Sequence, residues 1–416
     1  MQTLVDEFPT NSAYRAELAA TLHKLGVLLG DTGRYPEEEQ LHRRALALEE
    51  KLAANDPSIL RYRRNLGRGH WFVANVLGYL HRRRESEQAY RSALSIQRPL
   101  VAEFAAEPEY REHLSESYLG LGQQLRHLGR TEEYRQALGE AAAPLESLTT
   151  EFPKVPRYRN QLANVYYWRM RGPSRSLPTT YLEEAEQDLR KALALQQELV
   201  DDFPAVPDYR YDLFRSQKTM GWLLGGTNRP EEAEIAFAEA AATAERLTAD
   251  YPSVHYYLGG LAETYHTLGG FRARNGRLAE AEDAFRQSIA LFDRLVAQFP
   301  SVLEYGPDRR ESYFHLASVL TSTGRSDEAA DVYRKALQVK AHDPADLQHL
   351  AWLLVSYPDS RLRDPPQAIE LAKKAIRLAP QKAKHWRTLG AAHYRAANWH
   401  EAIYAANEAI EIGGGN

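Results

Sequence analysis

The chain has 416 residues with 52 basic against 56 acidic side chains, a net charge of −4, 44% apolar residues and no cysteine. That apolar fraction supports a buried core, and the near-neutral charge gives no electrostatic footprint for nucleic acid. The absence of cysteine excludes a disulfide framework, thiolate metal sites and cysteine nucleophiles. The longest apolar run, as in Ala351 to Val355, is far too short for a membrane span, and the N-terminus lacks the build of a signal peptide, so a soluble, uncleaved, cytoplasmic chain is expected.

In chain order, residues 1–11 read as the tail of a preceding unit, because Met1 to Phe8 matches the segment from Glu198 to Phe203 that ends a later one. Residues 12–341 then carry seven units of about 48 residues. Their punctuation is an aromatic-proline or similar pair followed by tyrosine, usually with arginine: Phe8-Pro9 with Tyr14-Arg15, Phe104 with Tyr110-Arg111, Phe152-Pro153 with Tyr158-Arg159, Phe203-Pro204 with Tyr209-Arg210. The tyrosines Tyr14, Tyr62, Tyr110, Tyr158, Tyr209, Tyr257 and Tyr305 are spaced 48, 48, 48, 51, 48 and 48 residues apart. The single longer interval places a three-residue insertion in the Pro/Ser-rich loop Gly172 to Pro178, near 172–180. Residues 342–411 hold two shorter units, and 412–416 form a flexible tail.

Within each unit two apolar helical patterns flank a turn, often Gly-Arg as at Gly33-Arg34, Gly129-Arg130, Gly276-Arg277 and Gly324-Arg325. Glutamates recur where the second helix starts (Glu37 to Glu39, Glu132-Glu133, Glu183-Glu184, Glu231-Glu232), complementing the helix N-terminal dipole, and so read as structural. Small residues recur in that helix at Ala45, Ala93, Ala141, Ala192, Ala240, Ser288, Ala336, Ala375 and Ala409, at intervals of 48, 48, 51, 48, 48, 48, 39 and 34. Two antiparallel helices can approach closely at such positions.

An interval of 34 is the tetratricopeptide period, and Trp386, Leu389, Gly390, Tyr394, Ala402 and Ala409 stand in that family's order. The chain therefore resembles a tetratricopeptide-repeat protein. The resemblance implies an all-α, right-handed solenoid of about nine helix-turn-helix pairs, in which the extra 14 residues of the long units add about two turns to each helix. The long spacing with Glu-Phe-Pro and Tyr-Arg punctuation also resembles the repeat region that follows the catalytic domain of planctomycete-type, hence bacterial, serine/threonine protein kinases. The kinase motifs themselves are missing: Asp202-Phe203-Pro204 looks like a metal-binding Asp-Phe-Gly, yet Glu7-Phe8-Pro9 and Glu151-Phe152-Pro153 are its repeat equivalents.

No catalytic motif is found. Fourteen histidines are scattered, and the closest grouping, His385, His393 and His400, has spacings of 8 and 7 that do not share a helical face, so neither a metal site nor a cofactor is expected. What remains is a surface. In tetratricopeptide arrays the first helix of each pair lines the concave side, which nominates Trp71, Asn75, Tyr79, Gln123, Arg126, Tyr167, Arg171, Lys218, Trp222, His266 and Arg274 as a peptide-binding lining. Trp71 and Trp222 also suit packing between repeats. The Lys/Asn carboxylate clamp of chaperone-binding members is not reproduced. The expected function is a non-catalytic scaffold for a peptide or protein, possibly acidic. A regulatory or substrate-recruiting arm of a larger kinase is one alternative, and end-to-end self-association through uncapped ends is another.

Overall fold

The computed structural model describes residues 3, 7–8, 10–170, 179–300, 302, 305–339, 343–357 and 359–414. The insertion loop from Gly172 to Pro178 and the candidate Arg171 lie outside them, as does most of the 1–11 tail. Among the described residues there are eighteen α-helices, one short 3-10 turn and no strand.

The chain divides into two units, residues 1–216 and 217–416. The first unit contains α1 (Ser12–Gly30), α2 (Tyr35–Asn55), α3 (Leu60–Tyr79), α4 (Arg83–Glu103), α5 (Pro108–His127), α6 (Thr131–Glu151), α7 (Pro156–Met170) and α8 (Thr179–Asp202). Helix α9 (Pro207–Gly226) runs through the division. The second unit continues with α10 (Pro230–Asp250), α11 (His255–Arg274), α12 (Leu278–Gln298), α13 (Gly306–Ser322), α14 (Ser326–Gln338), α15 (Pro344–Ser356), α16 (Pro365–Leu378), α17 (Ala383–Arg395) and α18 (Trp399–Gly414). Each unit is an α-solenoid in which helix pairs stack in sequence order. Helices α3 to α6 run 20 or 21 residues, whereas α15 to α17 run 13 or 14. The difference of about seven residues is two helical turns, so the long helices keep the same buried face.

Three local devices recur. The first is the turn inside each pair, where one residue must take positive φ. Gly33, Gly129, Gly276 and Gly324 do so at 74–80°, and His81, Asn228 and Ala397 fill the same place at 59–60°. Glycine suits this conformation because it has no Cβ to clash.

The second device is the arginine that follows the turn. Arg82, Arg130 and Arg325 each fork onto the glutamate three residues on, Glu85, Glu133 and Glu328, and also reach 2.7 Å to a glutamate of the preceding pair, Glu39, Glu87 and Glu282. Glu39 and Glu133, two of the glutamates at the helix starts, therefore belong to an ion lattice between successive pairs as well as to the helix dipole, whereas Glu38 is buried. The arginines of these pairs are 39–44% exposed, and ion pairs open to solvent contribute about 0–1 kcal/mol each.

The third device explains the Phe-Pro and Tyr-Arg punctuation. Phe8, Phe104, Phe152, Phe203 and Tyr251 meet the tyrosine six residues on edge to face, with ring centroids 5.9–6.2 Å apart at 60–67°. The arginine after that tyrosine ties the start of a pair to its end: Arg63 to Glu103 at 3.1 Å, Arg111 to Glu151 at 2.6 and 2.8 Å, and Arg159 to Asp202 at 2.8 Å.

Packing is governed by the small residues. Ala45, Ala93, Ala141, Ala192, Ala240, Ser288, Ala336 and Ala375 are 0% exposed, and Ala409 is 6% exposed. Each sits where the second helix crosses its neighbours, inside cores such as the one formed by Tyr118, Leu121, Tyr134, Leu138, Leu145 and Leu162. At Ser288 the extra hydroxyl donates to the Ala262 carbonyl at 2.8 Å, so the buried polar group has a partner at the crossing.

Ala141→Leu should therefore destabilise the fold by about 1–3 kcal/mol through overpacking. Urea unfolding followed by circular dichroism reads this, and an unchanged midpoint would show that the crossing has room to spare.

Candidate functional site

The part of α9 that lies in the second unit, α11 and α13 belong to the first helices of successive pairs, and their side chains line an open cavity of about 730 Å³. Its lining includes Lys218 and Trp222 from α9, Glu263, His266 and Arg274 from α11, and Asp308, Glu311 and His315 from α13. Four residues nominated from sequence, Lys218, Trp222, His266 and Arg274, are thus brought to one place. Trp222 stands at the rim, 53% exposed, with its ring edge-on to Phe237 at 6.1 Å. The underlying close approach depends on Gly221, where an added Cβ would lie 2.7 Å from Phe237.

The cavity wall is polar and of mixed sign. Lys218 Nζ donates to Glu263 Oε2 at 3.2 Å. His266 Nδ1 lies 2.8 Å from Ser312 Oγ, and His315 stacks on Phe285 with centroids 5.6 Å apart at 16°. His266 Nε2 faces Glu311 Oε2 at 3.9 Å, and His349 Nδ1 on α15 faces Glu311 Oε1 at 3.7 Å. Burial, reinforced by His315, pushes the His266 imidazole down to about 4, and burial also lowers His315 and His349. Burial, with Glu263 and Glu311 nearby, raises Asp308 to about 6. At neutral pH the lining therefore presents neutral imidazoles, two cations and three carboxylates. Such a wall has no net positive field, which removes the electrostatic basis for expecting an acidic partner here. Helix α13 is pinned behind the wall by Arg310, which is fully buried, paired with Asp346 and bonded to the Val339 carbonyl at 3.2 Å.

The nominated residues of the first unit are distributed differently. Trp71 is half-buried under the Arg68 guanidinium, 3.9 Å from its ring, and packs against the first-unit core. Tyr79 is exposed and stacks on Tyr35 at 5.0 Å. Asn75 and Gln123 are half-buried, and Arg126 lies 5.3 Å over Trp168. Tyr167 is only 5% exposed, beneath Arg215 at 4.8 Å, so its ring is packing and not an open contact.

Sequence reasoning passed over Glu263, Asp308, Glu311 and His315. Two signals pointed to them. Glu311 and His315 are four apart, one turn on the same helical face. Lys218 with Glu263 and His266 with Glu311 are each 45 apart, one long repeat less a helical turn, the offset at which successive first helices also meet at Arg64 with Glu109.

Family models described as tetratricopeptide repeat match residues 18–58, 260–341 and 360–416. Those stretches are tetratricopeptide repeats. The middle one holds the cavity wall from Glu263 to Val319. No curated protein matches the chain. Among solved structures, the apo form of RapI is similar at 13% identity, with 95% of this chain and 97% of that chain covered and a TM-score of 0.55. That likeness is one of fold. BtubC from P. vanneervenii aligns at 15% identity, covering 61% of this chain and 89% of its own, with a TM-score of 0.43. A Rap protein complexed with competence and sporulation factor aligns at 13% identity, covering 97% and 98%, with a TM-score of 0.39. Among the described residues no helix is long and apolar enough to cross a membrane.

A second polar cluster is buried in the first unit. Glu38, His42, His23 and Glu49 form a chain through contacts of 3.3, 2.9 and 3.4 Å, with Phe72 stacked on both imidazoles. Burial holds His42 down at about 4 and raises Glu38 to about 7. Because the folded state keeps the Glu38 proton after the unfolded chain has lost it, Glu38 costs stability as pH rises from about 4.5 through about 7. Glu38→Gln imitates the protonated acid. The wild type should thus lose stability relative to Glu38→Gln across that window in urea titrations, and a pH-independent difference would contradict the assignment.

Proposed function

We propose that the chain is a non-catalytic scaffold that binds a peptide segment of a protein partner along its first helices, with the α9, α11 and α13 cavity as the centre of contact. The observation that carries this reading is the convergence of Lys218, Trp222, His266 and Arg274 from two successive repeats on one 730 Å³ cavity. That volume falls in the range typical of ligand sites. Tryptophan and arginine, both present in this lining, are over-represented among the few residues that carry most of an interface's binding energy. The preorganised helices limit the ordering cost on the scaffold side. The mixed charge of the wall favours a segment that offers an apolar or aromatic side chain to Trp222 and both signs of charge to the floor, in place of a uniformly acidic one.

The test takes peptides selected on the full chain from a random library and measures their affinity by fluorescence anisotropy. Trp222→Ala should cost about 2 kcal/mol, the level of a hot spot, and Arg274→Ala a smaller amount. Tyr79→Ala in the first unit should leave affinity unchanged. The reading fails if Tyr79→Ala weakens binding and Trp222→Ala does not.

A further inference from the structure

We propose that His266, Glu311 and His315 form a binding site for a divalent transition-metal ion of the zinc type on the inner wall of the second unit. This goes beyond the peptide-binding reading and does not rest on it, because the metal alone is the ligand.

The donor set comes first. One ligand atom from each of the three side chains lies within 4.8 Å of the others, two imidazole nitrogens and one carboxylate oxygen. Two imidazoles with a carboxylate form a donor set used by zinc and its first-row neighbours. Glu311 and His315 are one turn apart on α13, and His266 comes across from α11, so two helices held in register by their packing supply the donors. Metal bonds of about 2.0–2.1 Å require these atoms to close together by roughly an ångström.

One arrangement of the hydroxyl protons around Ser312 leaves Nε2 of His266 bare. The Ser288 hydroxyl gives its one proton to the Ala262 carbonyl at 2.8 Å, and the Ser312 hydroxyl gives its proton to the Asp308 carbonyl at 2.9 Å. In that arrangement Ser312 Oγ, which also lies 3.1 Å from Ser288 Oγ, accepts from His266 Nδ1 at 2.8 Å. His266 Nε2 then faces Glu311 Oε2 at 3.9 Å as a second acceptor, a separation that leaves room for a cation between the two atoms.

A ligating histidine is ordinarily held through its other ring nitrogen, which is the part Ser312 plays for His266. His315 is held by its stack on Phe285. The second oxygen of Glu311 faces His349 Nδ1 at 3.7 Å. Arg274 lines the same cavity, and Lys218 is engaged with Glu263. Three protein donors beside a 730 Å³ space leave coordination positions for water or for a donor atom of an incoming molecule.

The experiment is calorimetric titration of the full, chelator-treated chain with zinc chloride, repeated with cobalt(II) so that visible absorption reports the coordination. The expected result is one strongest site per chain. His266→Asn keeps a side-chain N–H for Ser312 and removes the Nε2 donor, and Glu311→Gln keeps the shape of the side chain and removes its charge. Each should weaken binding at least about tenfold and abolish the cobalt spectrum, while circular dichroism stays that of the wild type. His400→Ala, an exposed histidine outside the cluster, should change neither. Equal affinity in wild type, His266→Asn and Glu311→Gln, or only weak binding spread over many sites, would overturn the proposal and leave a hydrated polar wall in its place.

Discussion

The structure depends on one contact, the crossing of the second helix of each pair over its neighbours at a residue no larger than alanine or serine. Eight of the nine such positions are 0% exposed. Interiors are packed to crystal density, so a side chain one or two carbons larger would have to push a whole helix aside. That displacement would be repeated wherever the contact is repeated. The spacing of the small residues sets the period of the chain, and the other devices act on a frame that this contact has already fixed.

Those devices hold the ends of the helices. Edge-to-face aromatic pairs and the Arg111 to Glu151 type of clamp close each pair at one end. A residue at positive φ and the following arginine close it at the other. Lengthening each helix by about two turns keeps both ends in phase with the crossing, and it deepens the wall that the first helices present. In the second unit that depth is used: α9, α11 and α13 place acids, bases and neutral imidazoles around one cavity. Ser288 connects frame to site directly, since it occupies a crossing position and also lies 3.1 Å from Ser312 Oγ, the group that orients His266.

The frame was largely legible in the sequence because it is written as repetition. The small residues and the aromatic punctuation recur at intervals that only a periodic fold produces, and helix pairs follow from apolar spacing on either side of the turn. The role of the turn arginine was less legible, because its partner lies 43 residues back and neither residue is unusual in a helix. The site was half legible. Lys218, Trp222, His266 and Arg274 could be placed from their register, whereas Tyr167 in the same register is packed under Arg215. Register fixes the side of a helix but not whether a neighbour covers it. Glu311 and His315 were missed because a search along single helices does not see His266, 45 residues earlier and one helix away.

The central claim is that the small-residue crossing holds the cavity groups in place, and Ser288 is where it can be tested most directly. The measurement is the position of the His266 and His315 imidazole signals in the NMR spectrum of the full chain, compared among wild type, Ser288→Ala and Ser288→Val. The account predicts that alanine, the residue found at every other crossing named above, leaves the His315 signal where it is, and that valine displaces both signals while the chain stays helical. A folded Ser288→Val chain with both signals unmoved would contradict it, because the cavity would then be positioned by something other than the crossing.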